Sequence, residues 1–357
     1  MTRIFGVASD VHLHNWTAFT GKKVNGVNER LDIILTELKG AAKAVVGAGG
    51  KRLVITGDLF HVRGSITPSV LNPTQIVFKE IVDSGIDEIV ILAGNHDLES
   101  KESDSLTNAC ESLSQIEKVT VVSTPIVCEE SKSFYIPWHD SCEDLLETIK
   151  HYIKQIGDVS EYDLFIHAPV DDVLPNMPGK GLAPLDLQAL GFRFVFSGHY
   201  HNHKEPVANV FSVGALTHQT WGDASSKAGF MILVDDEVMH LSTNAPMFVD
   251  FDAASVTDEV EALEICQGNY VRIRLDSVTQ SEVAEMRTWL VNDLRAKDCI
   301  IQATPKSKVV RRASSASTGG STLVESIADF IDSKTTGVDK KALQRECDDI
   351  LTIAVSI

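Results

Sequence analysis

The sequence predicts an α/β protein in four parts: a large sheet-and-helix domain over residues 1–250, a small strand–helix–strand module over 251–305, a flexible linker over 306–322 and a helical tail over 323–357. Three observations carry this. Short apolar, β-branched runs alternate with amphipathic helical stretches as far as residue 250. A strand, a capped helix and a strand then follow as a unit. The composition next turns basic and serine-rich before helical apolar spacing returns.

The first strand is Ile4 to Ala8. Leu31, Ile34, Leu35 and Leu38 recur at helical spacing within Asn28 to Val46, and Gly47-Ala48-Gly49-Gly50 ends that helix. A strand over 52–56 runs directly into Gly57-Asp58. Ile76, Val77, Ile81 and Val82 predict a helix from Thr74 to Ser84, with Gly85 as its stop. Further strands are expected at 89–93, 164–167 and 194–197. Ser141 is a candidate N-cap for a helix striped by Leu145, Leu146, Ile149, Tyr152, Ile153 and Ile156. Phe211-Ser212-Val213 and Phe230 to Val234 come at short spacing without a helix between them. That predicts a second, antiparallel-leaning sheet packed on the first. Beyond residue 250, Tyr270 to Leu275 alternates as a half-buried strand. Thr279-Gln280-Ser281-Glu282 fits a capping box and opens a helix carrying Val283, Met286, Leu290 and Leu294; Cys299 to Ala303 closes the module. Lys306, Lys308, Arg311 and Arg312 lead into a Ser- and Gly-rich linker. The tail carries Leu323, Ile327, Phe330 and Ile331, then Leu343, Cys347, Ile350, Leu351 and Ile353. Two such short amphipathic helices have little core of their own, so they dock back or bind a partner.

A chain of 357 residues has room for one large domain and a small one. No apolar run reaches transmembrane length, and the first strand starts too early to leave room for a signal peptide, so no membrane association and a cytoplasmic location (bacterial or viral-host) are expected. Six scattered cysteines without a Cys-x-x-Cys pair read as free thiols. The formal charge of −18 argues against a broad basic face gripping nucleic acid. Either the substrate is not a long polyanion, or metal and local patches supply the positive field, or a partner carries much of the grip.

Five of the strands end alike. They lead to Asp10-Val11-His12, to Gly57-Asp58-Leu59-Phe60-His61, to Gly94-Asn95-His96-Asp97, to His167, and to Gly198-His199-Tyr200-His201. Open α/β sheets hold ligands at the carboxyl ends of their strands, so these residues are expected along one rim of one sheet. Asp10, His12, Asp58, Asn95, His167, His199 and His201 are the candidate metal donors. Carboxylate, imidazole and amide donors without cysteine suit manganese, iron or zinc, not a structural thiolate site. Seven donors are too many for one ion and fit two if one carboxylate bridges. Paired ions about 3.5–4 Å apart are a standard arrangement for phosphoester hydrolysis. Taken alone, His167 would read as a satisfied core histidine; its place in the ordered set is what makes it a candidate ligand.

Asp-x-His, Gly-Asp-x-x-His, Gly-Asn-His-Asp, a lone His after a strand and Gly-His-x-His, in this order over residues 1–250, resemble the calcineurin-like metallophosphoesterases. The resemblance implies a four-layer α-β-β-α sandwich holding two divalent ions. One would be held by Asp10, His12, Asp58 and His201, the other by Asp58, Asn95, His167 and His199. It implies that His96 protonates the leaving oxygen, and Asp97 is suited to orient its imidazole. Gly57-Asp58-Leu59-Phe60-His61 further resembles the SbcD-type DNA repair nucleases, as does Asp97 where the family's protein phosphatases have Glu. That branch implies manganese as the activating ion, a capping domain matching 251–305, and a helical segment matching 323–357 that binds an SbcC-type ATPase. His61 would help position DNA at the metals, and the branch usually forms homodimers. His61 stands where bacterial members commonly have Asp, and the short tail fits a compact, viral-type member. His14 and His203 lie near the ligands in sequence, and Lys306 to Arg312 reads equally as a DNA-backbone clamp or a solvated linker. The reading is a manganese-dependent DNA exonuclease or endonuclease of repair or recombination. Its rivals are a small-molecule phosphodiesterase or phosphatase on the same scaffold, and a non-catalytic metal-stabilised scaffold.

Overall fold

In a computed structural model of the chain, the described residues are 3–100, 107–175, 179–305, 327, 330–332 and 339–355. Met1–Lys306 form one compact unit and Ser307–Ile357 a second.

The chain opens with β1 (Ile4–Ala8), a small hairpin of β2 (Lys23–Val24) and β3 (Val27–Asn28), and α1 (Glu29–Gly47). Asn28 starts α1 by accepting the backbone N–H groups of Arg30 and Leu31 on its side chain, the usual role of an Asn N-cap. β4 (Arg52–Ile55), α2 (Pro68–Asp83), β5 (Glu88–Leu92) and β6 (Val119–Val122) continue the run, with β1, β4, β5 and β6 paired parallel in that order. α2 begins at Pro68, not Thr74. Proline is well placed in a first turn, where its missing N–H has no partner to lose, and Pro73 is accommodated inside the helix.

β7 (Ile126–Cys128), β8 (Ser133–Ile136), α3 (Cys142–Ile156), β9 (Asp163–His167), α4 (Pro184–Ala189), β10 (Phe194–Gly198), β11 (Lys204–Val207) and β12 (Val210–Ser212) come next. Their strands form a sheet ordered β11-β12-β10-β9-β8-β7. Ser141 caps α3 as its sequence predicts. β13 (Gly229–Val234) and β14 (Glu237–Ser242) then return to the first sheet, ordered β14-β13-β1-β4-β5-β6.

Two sequence expectations change here. The strands near 211 and 230 make no sheet together: β12 lies parallel to β10 in one sheet, and β13 antiparallel to β1 in the other. The five polar strand ends therefore belong to two sheets, β1, β4 and β5 in the first and β9 and β10 in the second.

Alternate residues sort these strands into layers. Leu53, Ile55, Ile89 and Ile91 face α1 and α2. Phe134, Leu164, Ile166 and Val195 face α3 and α4. Phe5, Val7, Val54, Val90, Phe165, Phe196 and Phe211 fill the space between the sheets. There Phe165, Phe196 and Phe211 stack in succession, with centroids 5.3 and 5.6 Å apart. This is the α-β-β-α sandwich.

β15 (Phe248–Phe251), α5 (Glu259–Cys266), β16 (Tyr270–Val278), α6 (Gln280–Thr288) and β17 (Asp298–Pro305) form a parallel three-stranded module with its own core of Val271, Ile273, Leu290 and Leu294. β15 spans the boundary drawn at residue 250. Thr279 and Glu282 make the expected capping box. The linker over 306–322 lies outside the described residues. In the second unit, α7 (Lys340–Val355) is capped by Asp339, whose carboxylate accepts from the N–H groups of Lys341 and Ala342. No described helix is long and apolar enough to cross a membrane.

Candidate metal centre

Backbone pairing between β1 and β4 continues past the strand ends. Asp10 N–H donates to Gly57 O (3.1 Å), His12 N–H to Asp58 O (3.0 Å) and Leu13 N–H to Leu59 O (2.8 Å). The second sheet is tied on at the same place. His199 N–H donates to Asp10 Oδ2 (3.0 Å), and His167 Nδ1 lies 2.7 Å from Thr56 O. Asp10, His12 and Asp58 have φ of 48°, 50° and 52°, and His199 has φ of 107°. Non-glycine residues hold such backbone only where surrounding structure imposes it, and they cluster at functional sites. A Cβ on Gly94 would lie 2.2 Å from both Asp58 N and Oδ1, and one on Gly57 2.2 Å from His167 Nδ1. Glycine is what lets these strand ends approach.

The seven candidate donors converge there in two sets. In one, His12 Nε2 lies 3.1 Å from His201 Nε2, 4.0 Å from Asp10 Oδ1 and 3.8 Å from Asp58 Oδ2. In the other, Asn95 Oδ1 lies 3.1 Å from both His167 Nε2 and His199 Nδ1, and Asp58 Oδ1 is 3.4 Å from His167 Nε2. Asp58 thus turns one oxygen toward each set.

The donors fit bound cations. Asp10 Oδ1 is buried without a hydrogen-bond partner, a condition that normally needs a compensating group. His167 Nδ1 faces a carbonyl, so it carries the proton and Nε2 presents its lone pair. His201 Nδ1 likewise donates to Asp223 Oδ1 at 2.7 Å, freeing Nε2. A carboxylate or carbonyl behind the imidazole is the usual support of a metal-ligating histidine. Asp10, His12 and His201, and again Asp10, Asp58 and His167, bring ligand atoms within 4.8 Å of one another.

Residues 4–203 match the family described as calcineurin-like phosphoesterase. The chain belongs to that family. Metal-dependent phosphoester hydrolysis is the family's chemistry. No curated protein matches the chain. Among solved structures, TT1561 of Thermus thermophilus is similar at 10% identity and TM-score 0.40, covering 68% of this chain and 99% of that one. A dimetal phosphatase from Danio rerio is similar at 11% and 0.38, covering 67% and 98%. The nuclease MPE of Pseudomonas putida is similar at 15% and 0.25, covering 66% and 86%.

In this phosphoesterase, His96 lies at the edge of the first donor set, its ring centroid 5.0 Å from that of His12. Its Nδ1 lies 2.7 Å from the backbone carbonyl of His61, so that nitrogen donates and Nε2 faces away. His61 stacks on His96 with centroids 5.5 Å apart, and its Nδ1 is 3.3 Å from His12 Nδ1. Asp97 does not orient His96, contrary to the sequence expectation. It is fully buried and accepts the N–H groups of Leu59, Phe60 and Gly94. Backbone geometry turns neighbouring side chains in different directions, and Asp97 instead holds the Gly57–Phe60 turn against the Gly94 turn. His14 packs 5.2 Å from His61, whereas His203 stacks on His240 at 4.0 Å, on β14.

Three supporting residues were not legible in the sequence. Asp223, which orients His201, also accepts the N–H groups of Gln219 and Thr220. Its only sequence signal is the Thr220-Trp221-Gly222-Asp223 capping pattern. Trp138 stacks on His199 at 5.1 Å, and Trp16 lies 4.4 Å from the His61 ring while donating from Nε1 to His12 O.

Burial dominates the protonation states. It raises Asp10 and drops His12 well below the ordinary imidazole value. His61 and His199 fall to about 4, by burial first and then by facing imidazoles. Neutral imidazole is the ligating form. His167 and His201 are the exceptions: burial would lower both, but Asp58 outweighs that at His167 and pushes it up to about 9, and the bond to Asp223 raises His201. Burial likewise opposes ionisation of Asp58, yet His167 holds it below the usual carboxylate range. A cation placed between them would take over the role of that proton.

Proposed function

We propose that this chain is a two-metal DNA nuclease of SbcD type, hydrolysing phosphodiesters with manganese in repair or recombination. The observation that carries the reading is Asp58, which offers one oxygen to each of two donor sets. Asp10, His12, Asp58 and His201 would hold one ion, and Asp58, Asn95, His167 and His199 the other. Bound ions would polarise the phosphate and lower the barrier to attack by water. His96, with Nδ1 committed to the His61 carbonyl, keeps Nε2 to protonate the departing sugar oxygen. Trp138 stacks on the His199 ring and would help hold it in its ligating orientation.

A polynucleotide substrate is supported by a cleft of about 530 Å³ bordered by Asn15, Trp16, Lys22 and Lys23. Lys22 and Lys23 are exposed and have no carboxylate within 4 Å among the described residues. Trp16 links the cleft to His61. Phosphates of a strand lying there would meet two cations beside the metals. Residues 251–305 would narrow access as a capping domain, and residues 323–357, which include α7, would recruit an SbcC-type ATPase that feeds duplex DNA to the site. A homodimer and a cytoplasmic location complete the proposal.

The charge of −18 favours a second reading, a phosphodiesterase of small substrates. Cleavage of end-labelled duplex and single-stranded DNA in manganese, wild type against His96→Ala, separates the two. Cleavage lost in the variant is expected. Hydrolysis of a nitrophenyl phosphodiester without DNA cleavage, with or without the ATPase, would select the small-substrate reading.

A further inference from the structure

Arg30 is buried in the first turn of α1, 4% exposed, yet no carboxylate lies within 4 Å of it among the described residues. A guanidinium so placed must be balanced by dipoles and ring faces, because an uncompensated buried charge is costly. Its Nη2 donates to the carbonyls of Gln219 (2.8 Å) and His218 (3.3 Å). Its Cζ lies over the rings of Trp16 (4.7 Å), Phe248 (5.1 Å) and Tyr270 (5.9 Å). Phe248 begins β15 and Tyr270 begins β16, so one face of Arg30 belongs to the three-stranded module.

His218 is a further tie to the module, its Nδ1 accepting Phe248 N–H, whereas Gln219 and Trp16 lead to one pair of histidines. Gln219 donates its backbone N–H to Asp223, whose other oxygen holds His201. The Gln219 side chain reaches Val11 O, between Asp10 and His12. Trp16 donates to the backbone carbonyl of His12. Both routes from Arg30 therefore end on His12 and His201. His167 and His199 have supports of their own in Trp138 and the Thr56 carbonyl, and their link to the first set is the His199 N–H on Asp10 Oδ2.

We propose that Arg30 is a positioning residue that couples the seating of the 248–305 module to one of the two metal positions, the one built on His12 and His201. The inference rests on the two-ion reading above. Groups bonded directly to a metal-ligating histidine, as Asp223 is to His201, typically change metal affinity 10–100-fold when removed, and Arg30 acts on that partner through Gln219. Arginine suits the place because one guanidinium can donate to two carbonyls and still lie against aromatic rings.

The test is equilibrium dialysis of manganese against the full chain, comparing wild type, Arg30→Met, Arg30→Lys and Tyr270→Leu, with melting in chelator to confirm folding. Wild type is expected to bind two ions. Arg30→Met should keep one at wild-type affinity and weaken the other 10–100-fold, with activity returning in excess manganese. Tyr270→Leu should weaken the same ion, and Arg30→Lys should fall between. If Arg30→Met does not fold, the other two variants decide by the same criterion. Two ions at wild-type affinity in the variants, or equal weakening of both, would overturn the proposal. Fewer than two ions on wild type would instead overturn the two-ion reading itself, and the coupling with it.

Discussion

Replacing Gly94 by alanine adds one methyl group at the point where the account is most exposed to test. The new Cβ would sit 2.2 Å from Asp58 N and Oδ1 and 2.9 Å from its Cγ. Ordinary carbon contacts begin near 3.4 Å, so the carboxylate or the Gly94 turn must move by about 1 Å. The Asp58 backbone is pinned by His12 N–H, and Asp58 Oδ1 accepts His96 N–H at 2.8 Å. The move therefore breaks the alignment of both donor sets at once. Overpacking of this kind costs about 1–3 kcal/mol of stability, and misplacing a reacting group by 1 Å costs about 100-fold in rate. Gly94→Ala is expected to lose about 100-fold in kcat/KM on a nitrophenyl phosphodiester in manganese and to bind manganese more weakly, while still melting cooperatively. A variant within threefold of wild type in both rate and metal affinity would refute the bridging role of Asp58.

Other expectations can be checked alongside. Asp223→Asn should lower manganese affinity about 10–100-fold with activity recovered at saturating metal; unchanged affinity would remove Asp223 from the site. The Lys22→Ala, Lys23→Ala double variant should reduce the salt slope of DNA binding by about 2 and leave nitrophenyl phosphodiester hydrolysis unchanged; equal loss on both substrates would contradict the cleft assignment. Asp163, fully buried beside Arg3 at the far end of β9, is pushed up to about 6 by burial, which outweighs the arginine. The folded chain thus holds that proton more tightly than the unfolded chain, so the contribution is present below about pH 4 and lost as pH rises through 6. A rise of that size corresponds to about 3 kcal/mol. Asp163→Asn should therefore gain on wild type by that order between about pH 4 and 7 in melting experiments, and parallel pH profiles would contradict it.

The polar strand ends were legible because each follows a short apolar run, and the chain can place Asp58, Asn95 or His199 nowhere but at the end of a buried strand. Their division between two sheets was not. A strand buried on both faces shows the same apolar pattern in either sheet, and only the pairing of β4 with β1 and β5, and of β9 with β10, decides the matter. Asp97 was misread for a related reason: adjacency to His96 invites a pair, but the turn sends its carboxylate to three backbone N–H groups. Asp223 meets His201, Trp16 meets His61 and Trp138 meets His199 across long sequence separations, and no local pattern reports those contacts. The capping box of α6 and the Ser141 cap were read correctly because their partners lie within three residues.

The most direct test is anomalous diffraction from crystals of the wild-type chain soaked in manganese. Two peaks about 3.5–4 Å apart are expected, one beside His12 and His201 and one beside Asn95, His167 and His199, with Asp58 between them. A single peak, or peaks away from Asp58, would contradict a two-metal phosphoesterase centre in this chain.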